Sequence, residues 1–209
     1  DLTIIDGALS RLSLASPAVS ESMILATGAA YSANINTLVQ KTAFVVQMIN
    51  LELTSQENYD TFIDINSGVW AIDFDADNDN DFGKRLVDLK VASSLSININ
   101  TDGLKKCKTL YVSGALTDNF VNHIRQNKIF NETEIVVRDF TKIFLTPMTY
   151  NTFVNGKRKI TVLQKSKLIA VCVNPTSPNG IVLDSEKLCK TLSEAINLPV
   201  YDLKKILCN

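Results

Sequence analysis

Apolar positions recur along the chain in two rhythms. Short, nearly continuous apolar runs predict buried strands. They fall at Leu2-Thr3-Ile4-Ile5, which stops at Asp6, and at Met23–Ala26, which stops at Thr27-Gly28. Further runs cover 109–114 up to Ser113-Gly114, 133–139 up to Asp139, 159–164, 168–174 up to Asn174, and 200–203. The second rhythm is helical. Ile35, Leu38, Val39, Thr42, Val45, Val46 and Ile49 share one stripe of a helix about four turns long. Ser32 or Asn34 supplies its cap. Thr117 caps a helix over 117–129 that turns Phe120, Val121 and Ile124 inward. Thr146, Pro147 and Gly156 mark the start and stop of another. The last, over 185–196, carries Leu188, Leu192, Ala195 and Ile196 on one face and stops before Pro199.

The middle breaks this alternation. "TFIDINSGVWAID" reads as a hairpin turning on Asn66-Ser67-Gly68. Over 84–99, "GKRLVDLKVASSL" fits helix and "SSLSININ" fits strand. The expected fold class is therefore α/β. A mainly parallel sheet carries helices on both faces, as a P-loop-NTPase-like or Rossmann-like three-layer sandwich with a small β-hairpin insert. Residues 1–209 read as a single α/β domain with an insert or edge region at 55–100. The abrupt opening at Asp1 suggests the C-terminal part of a longer chain whose N-terminal element lies upstream.

Composition narrows the function. The 209 residues are 45% apolar and 21% charged, an ordinary globular balance. A net charge of −1 argues against nucleic acid or an acidic membrane surface as partner. The basic run "NGKRKI" (155–160) reads as a solvated turn. No apolar run is long enough to span a bilayer, and the first residues lack a signal-peptide pattern. Cys107, Cys172, Cys189 and Cys208 are widely spaced, and His123 is the only histidine. That spacing fits neither a disulfide framework nor a zinc site, and it points to a reducing, cytoplasmic compartment. Cys172 and Cys189 read as buried thiols.

In parallel sheets ligands bind beyond the carboxyl ends of the strands, so the candidate chemistry is sought there. Three ends share a glycine and a small neighbour: Asp6-Gly7-Ala8, Thr27-Gly28-Ala29 and Ser113-Gly114-Ala115. Such loops let backbone N–H groups approach a phosphate, yet none matches a P-loop or a dinucleotide fingerprint. A tight turn explains each alone; three on one edge strengthen the case that one meets a ligand. Asp6 closes its apolar run as a magnesium-holding carboxylate does in P-loop enzymes, and Arg11 follows to reach an anion or pair with Asp6. A carboxylate at that turn also suits capping. Asp139 and Asn174 complete the ligand or nucleotide candidates, with Asp6 also the metal candidate. ATP with magnesium is the cofactor such a site would take. Asp6 and Asp139 would serve a small-molecule enzyme. The string "DFDADNDNDFG" (73–83) fails the EF-hand template in two registers, each lacking glycine at position 6 and glutamate at position 12; it reads as a solvated acidic loop.

The segments "IIDGALSRLSLASPAVSESMILATGA", "RDFTKIFL" and "IAVCVNPTSPNG…LPVYDL" resemble the smaller, non-MutS-like subunit of lysine 5,6-aminomutase reactivase. The resemblance implies an accessory, chaperone-like subunit of an ATP-dependent complex. Such a complex restores an adenosylcobalamin-dependent aminomutase of amino-acid fermentation. It implies two protein partners, an ATPase subunit and the aminomutase, and it leaves room for oligomer formation. It also implies a longer parent chain with a nucleotide-loop-like segment upstream. The alternative is a P-loop-like NTPase or ATP-dependent ligase fragment whose phosphate loop lies upstream of Asp1. Whether the protein is itself an enzyme is left open by these residues.

Overall fold

The structure is a computed structural model that describes residues 3–7, 12–74, 84–91, 99, 101 and 104–206. The chain opens with a 3-10 turn (Leu12–Ala15), β1 (Met23–Gly28) and α1 (Ile35–Ile49). It continues through α2 (Gln56–Phe62), β2 (Val69–Phe74), β3 (Lys84–Asp88), β4 (Cys107–Val112), β5 (Leu116–Thr117) and α3 (Asp118–Gln126). Then come β6 (Glu134–Val137), β7 (Ile143–Phe144), α4 (Pro147–Val154), β8 (Lys159–Val162), β9 (Leu168–Asn174), α5 (Ser185–Ile196), β10 (Val200–Asp202) and α6 (Leu203–Ile206). These elements form two compact units, Asp1–Asn50 with Ser166–Asn209, and Leu51–Lys165.

In the first unit β1, β9 and β10 form a parallel sheet in that order. Leu25 pairs with Val171 and Val171 with Val200, while Ala26 pairs with Cys172 and Cys172 with Tyr201. Paired residues of neighbouring strands share a face, so the two rows lie on opposite faces. Leu25, Val171 and Val173 are buried. On the same face Thr27 meets Thr42 of α1, and Asp202 meets Ser185 of α5. Both helices therefore cover that one face, where Leu38, Val39, Val46, Leu188 and Leu192 add to the core. Each such side chain contributes about 1.5–3 kcal/mol when fully buried. The apolar stripe of α1 falls where its periodicity places it, and Asn34 caps it by accepting from the Thr37 amide. On the opposite face Ile24 is 56% and Tyr201 44% exposed.

The second unit holds a five-stranded mixed sheet in the order β3-β2-β4-β6-β8. Strands β4, β6 and β8 are parallel, and β2 pairs antiparallel with β3 and β4. The β4–α3–β6 and β6–α4–β8 units are crossovers of one hand, which puts α3 and α4 on a common face. Phe62 of α2 packs on the other face with Ile72, Tyr111, Val136 and Leu163, and its ring stacks on Tyr111 at 4.9 Å. Strand β6 is buried throughout, as a parallel strand covered on both faces should be. Helices α3 and α4 start at the predicted caps, Thr117 and Thr146, with Pro147 in the first turn. Strands β5 and β7 pair parallel as a third, two-stranded sheet, and the α/β class holds with two parallel sheets and one mixed sheet among the described residues.

Several expectations are corrected. Thr3, Ile4 and Ile5 lie outside any strand and are exposed, Ile4 at 85%. A four-residue apolar run permits a strand, but a strand forms only where a neighbour completes its hydrogen bonds. The hairpin around Asn66-Ser67-Gly68 is absent, because Thr61 and Phe62 finish α2, which Ser55 caps. Gly68 instead takes a positive φ of 85° at the turn into β2. Lys84–Asp88 pairs antiparallel with β2 on its outer side, so it is strand rather than helix. Most of "SSLSININ" and the aspartates Asp75, Asp77, Asp79 and Asp81 lie outside the described residues. Asp73, the first of that string, is buried rather than solvated. It accepts from the Lys105 and Lys106 amides at 3.0 and 2.9 Å and pairs with Arg85. In the basic run 155–160, Lys157 turns the chain at a φ of 63°. Arg158, however, is half-buried and donates to the carbonyls of Phe130 and Arg125 at the end of α3. Cys107 is buried, while Cys172 and Cys189 are only half-buried.

Candidate functional site

The three glycine turns do not share one edge. Thr27-Gly28 ends β1 in the parallel sheet, Ser113-Gly114 follows β4 in the mixed sheet, and Asp6-Gly7 ends no strand. Each carboxyl edge is therefore built up on its own.

In the first unit the edge is formed by Thr27, Gly28, Asn174 and Asp202. Gly28 faces Asn174 across the β1–β9 ladder. A Cβ at Gly28 would stand 2.1 Å from the Asn174 carbonyl oxygen, so only glycine lets the strands close here. The Ala29 amide donates to that same carbonyl at 2.9 Å, and the Tyr31 amide to the Gly28 carbonyl. Thr27 Oγ1 lies 3.0 Å from Thr42 Oγ1. Asn174 Oδ1 accepts from the Thr176 amide and so stiffens the turn into Pro175. Asp202 was not singled out from sequence, though Val200-Tyr201-Asp202 carries the same signal as Ile4-Ile5-Asp6. It is buried and accepts from the Ser185 hydroxyl at 2.6 Å and the Lys204 amide at 3.1 Å. Beside β1 lies a cleft of about 100 Å³ lined by Leu25, Ala26, Thr27, Tyr31, Thr42 and Val45. The Lys41 ammonium sits 4.9 Å from the centre of the Tyr31 ring nearby.

In the second unit Ser113 and Asp139 stand after neighbouring parallel strands, β4 and β6. The Ser113 hydroxyl donates to the Gly68 carbonyl at 2.8 Å, and the half-buried Gly114 follows it. Asp139 is 1% exposed. Its Oδ1 accepts from the Thr141 amide at 2.8 Å and from the Thr141 hydroxyl, capping the 3-10 turn at 140–142. Arg138 donates through Nη2 to the carbonyls of Ile63 and Ile65 and to Asn66 Oδ1, closing the end of α2. The Tyr111 hydroxyl donates to the same Ile65 carbonyl at 3.0 Å. Burial pushes the Tyr111 phenol up from its usual range, with nearby Arg138 pulling the other way. Sequence reasoning missed Tyr111 and Arg138 because a residue inside a strand run carries no mark of what its side chain will reach.

Asp6 and Gly7 are exposed and belong to no element; a Cβ at Gly7 would meet only Leu14 Cβ at 3.7 Å. Arg11 and Ala8 lie outside the described residues. Among the described residues no group of three or more His, Cys, Asp and Glu side chains is placed to hold a metal ion. Asp139, the other carboxylate of the small-molecule reading, is buried and caps a turn. Among the described residues no helix is long and apolar enough to cross a membrane. Comparison of the chain with protein-family models, curated proteins and solved structures finds no match.

Proposed function

We propose that this protein is an accessory subunit that acts by binding other proteins. The observation that carries this reading is a row of exposed side chains on one face of the first unit's sheet. Ile24, Ala26 and Tyr201 are exposed there beside half-buried Ala170 and Cys172. Parallel sheets ordinarily bury both faces, and a contiguous exposed apolar surface marks an interaction site. The polar strand-end groups point the same way. Thr27, Ser113, Asp139 and Asn174 each bond within their own unit, so their hydrogen-bonding capacity serves turns and helix packing. The sequence resemblance supplies the partners. They are an adenosylcobalamin-dependent lysine aminomutase and the ATPase subunit of its ATP-dependent reactivase, both in the cytoplasm.

The test is reconstitution from purified components. The protein is mixed with the aminomutase, with the MutS-like ATPase subunit, and with both, and complexes are resolved by gel filtration. Comigration with either partner is expected, and Tyr201→Glu should weaken it about tenfold or more, the scale of losing one interfacial aromatic anchor. Failure to comigrate with either partner would overturn the reading. Saturable ATP binding by the isolated chain would instead favour the NTPase or ligase alternative.

A further inference from the structure

We propose that the Thr3–Asp6 segment of one copy adds as a fourth strand along the open edge of β1 in a second copy. Among the described residues β1 is the terminal strand of its sheet and pairs only with β9. The Met23 amide donates to the Lys167 carbonyl and the Ala29 amide to the Asn174 carbonyl. Odd-numbered positions of β1 therefore face β9, and alternation turns the N–H and C=O groups of Ile24 and Ala26 to the other side. Among the described residues nothing pairs with them there. Strand edges are usually guarded by lysine, proline or a bulge that twists them away. Residues 23–28, Met-Ile-Leu-Ala-Thr-Gly, carry no charge and no proline, and their one register shift lies at Met23/Ile24, toward β9.

The cleft at this margin tells what kind of occupant fits. Its lining comes from β1 (Leu25, Ala26, Thr27) and from α1 and the turn before it (Tyr31, Thr42, Val45). It is the space that the inward side chain of a neighbouring strand would fill. A cavity of 150 Å³ takes a benzene ring, so about 100 Å³ takes the four carbons of one isoleucine or leucine side chain. The same chain carries a matching apolar segment that belongs to no strand among the described residues. Thr3-Ile4-Ile5-Asp6 reads as a strand, yet Ile4 is 85% and Ile5 45% exposed. In extended form Ile4 and Ile5 point to opposite faces. One enters the cleft, and the other lies beside exposed Ile24 on the opposite face.

A second copy is the source, because within one chain the segment stays outside while the edge stays open. Direct β1-to-β1 pairing would not fill the cleft, since the inward side chain of Leu25 is already buried in its own unit. Reciprocal donation of two segments closes a two-fold dimer. This inference does not rest on the function proposed above, and either can fail without the other.

The full chain is examined by sedimentation equilibrium over a range of concentrations. A reversible dimer of twice the 23.0 kDa chain mass is expected. Ile4→Asp removes the donated side chain from an exposed segment, so the fold is kept. Ala26→Pro removes only an amide that faces away from β9. Each should weaken the dimer about tenfold or more. Mixing the two variants should restore association, because Ile4→Asp keeps a sound edge and Ala26→Pro a sound segment. A monomer at every concentration, or a dimer indifferent to both substitutions, would overturn the proposal. So would a monomer whose Ile4 and Ile5 amides are protected from hydrogen exchange, which would place the segment on its own β1.

Discussion

Substituting Gly28 by alanine separates a packing role from a phosphate-binding one. The added methyl would sit 2.1 Å from the Asn174 carbonyl oxygen and 3.0 Å from the Asn174 nitrogen and carbonyl carbon. The first contact is shorter by more than about 1 Å than non-bonded heavy atoms accept. All three contacts are backbone atoms of the central strand, so no side chain can swing aside. Relief requires β1 and β9 to part at this rung, which breaks the Ala29-to-Asn174 hydrogen bond. Overpacking typically costs about 1–3 kcal/mol and a backbone hydrogen bond about 1 kcal/mol, giving roughly 2–4 kcal/mol. For a chain of this length that is a drop in melting temperature of roughly 4–16 °C. Circular dichroism and urea titration read it, with Gly7→Ala as the control. A Cβ at Gly7 meets only an ordinary contact, so that variant should melt as the parent does. If Gly28→Ala melts unchanged and loses only the capacity to bind phosphate or nucleotide, the packing argument is wrong.

Other consequences follow from buried polar groups. Glu134 accepts from the hydroxyls of Thr54 and Thr161 at 3.0 and 2.6 Å and from the Asn58 amide at 3.3 Å. Glu134→Ala strands these donors and should cost about 2–4 kcal/mol by urea unfolding, whereas Lys159→Ala, which removes a mostly exposed partner, should cost under about 1 kcal/mol. Burial pushes the Cys107 thiol up to about 12, so at pH 8 iodoacetamide should modify it only after unfolding, as followed by peptide mass spectrometry. The Tyr111 phenol is raised by burial, so its contribution to stability is complete below the unfolded value near pH 10 and is lost as pH rises through the folded value. Burial raises the Tyr150 phenol as well, so absorbance titration at alkaline pH should show late-ionising tyrosines, one of which is lost in Tyr111→Phe. That variant should also lose about 1 kcal/mol with the bond to the Ile65 carbonyl.

Helices were legible where a local rule and a long-range demand agreed. The stripe of α1 and the caps Asn34, Thr117 and Thr146 depend on residues within one or two turns, and all fell in place. Elements failed where the two demands diverged. Apolar residues at 61–65 fit a strand by composition, yet Ser55 starts a helix that carries Phe62 onto Tyr111. Ile4 and Ile5 have the composition of a strand and pair with no strand among the described residues. The candidate site was legible as positions and not as roles. Gly28 was marked as a close-approach glycine, and what it approaches is the Asn174 carbonyl. Asp139 was marked as a strand-end carboxylate, and what it binds is Thr141, two residues on.

Taken alone, the amino-acid order determined the α/β class, helices α1, α3, α4 and α5, the caps of the first three, and most of the apolar strands. These follow from periodicity and from side chains reaching backbone groups a few residues away. Only the tertiary structure decided that the strands divide among separate sheets, so that the glycine turns of β1 and β4 lie on separate edges. It alone brought Asp73 to the Lys105 and Lys106 amides and Arg138 to the end of α2. It alone left β1 without an outer neighbour among the described residues. The physical reason is common to all of these. Strand order and long-range hydrogen bonds depend on which surfaces meet, and a local pattern states what a segment can bury without stating against what.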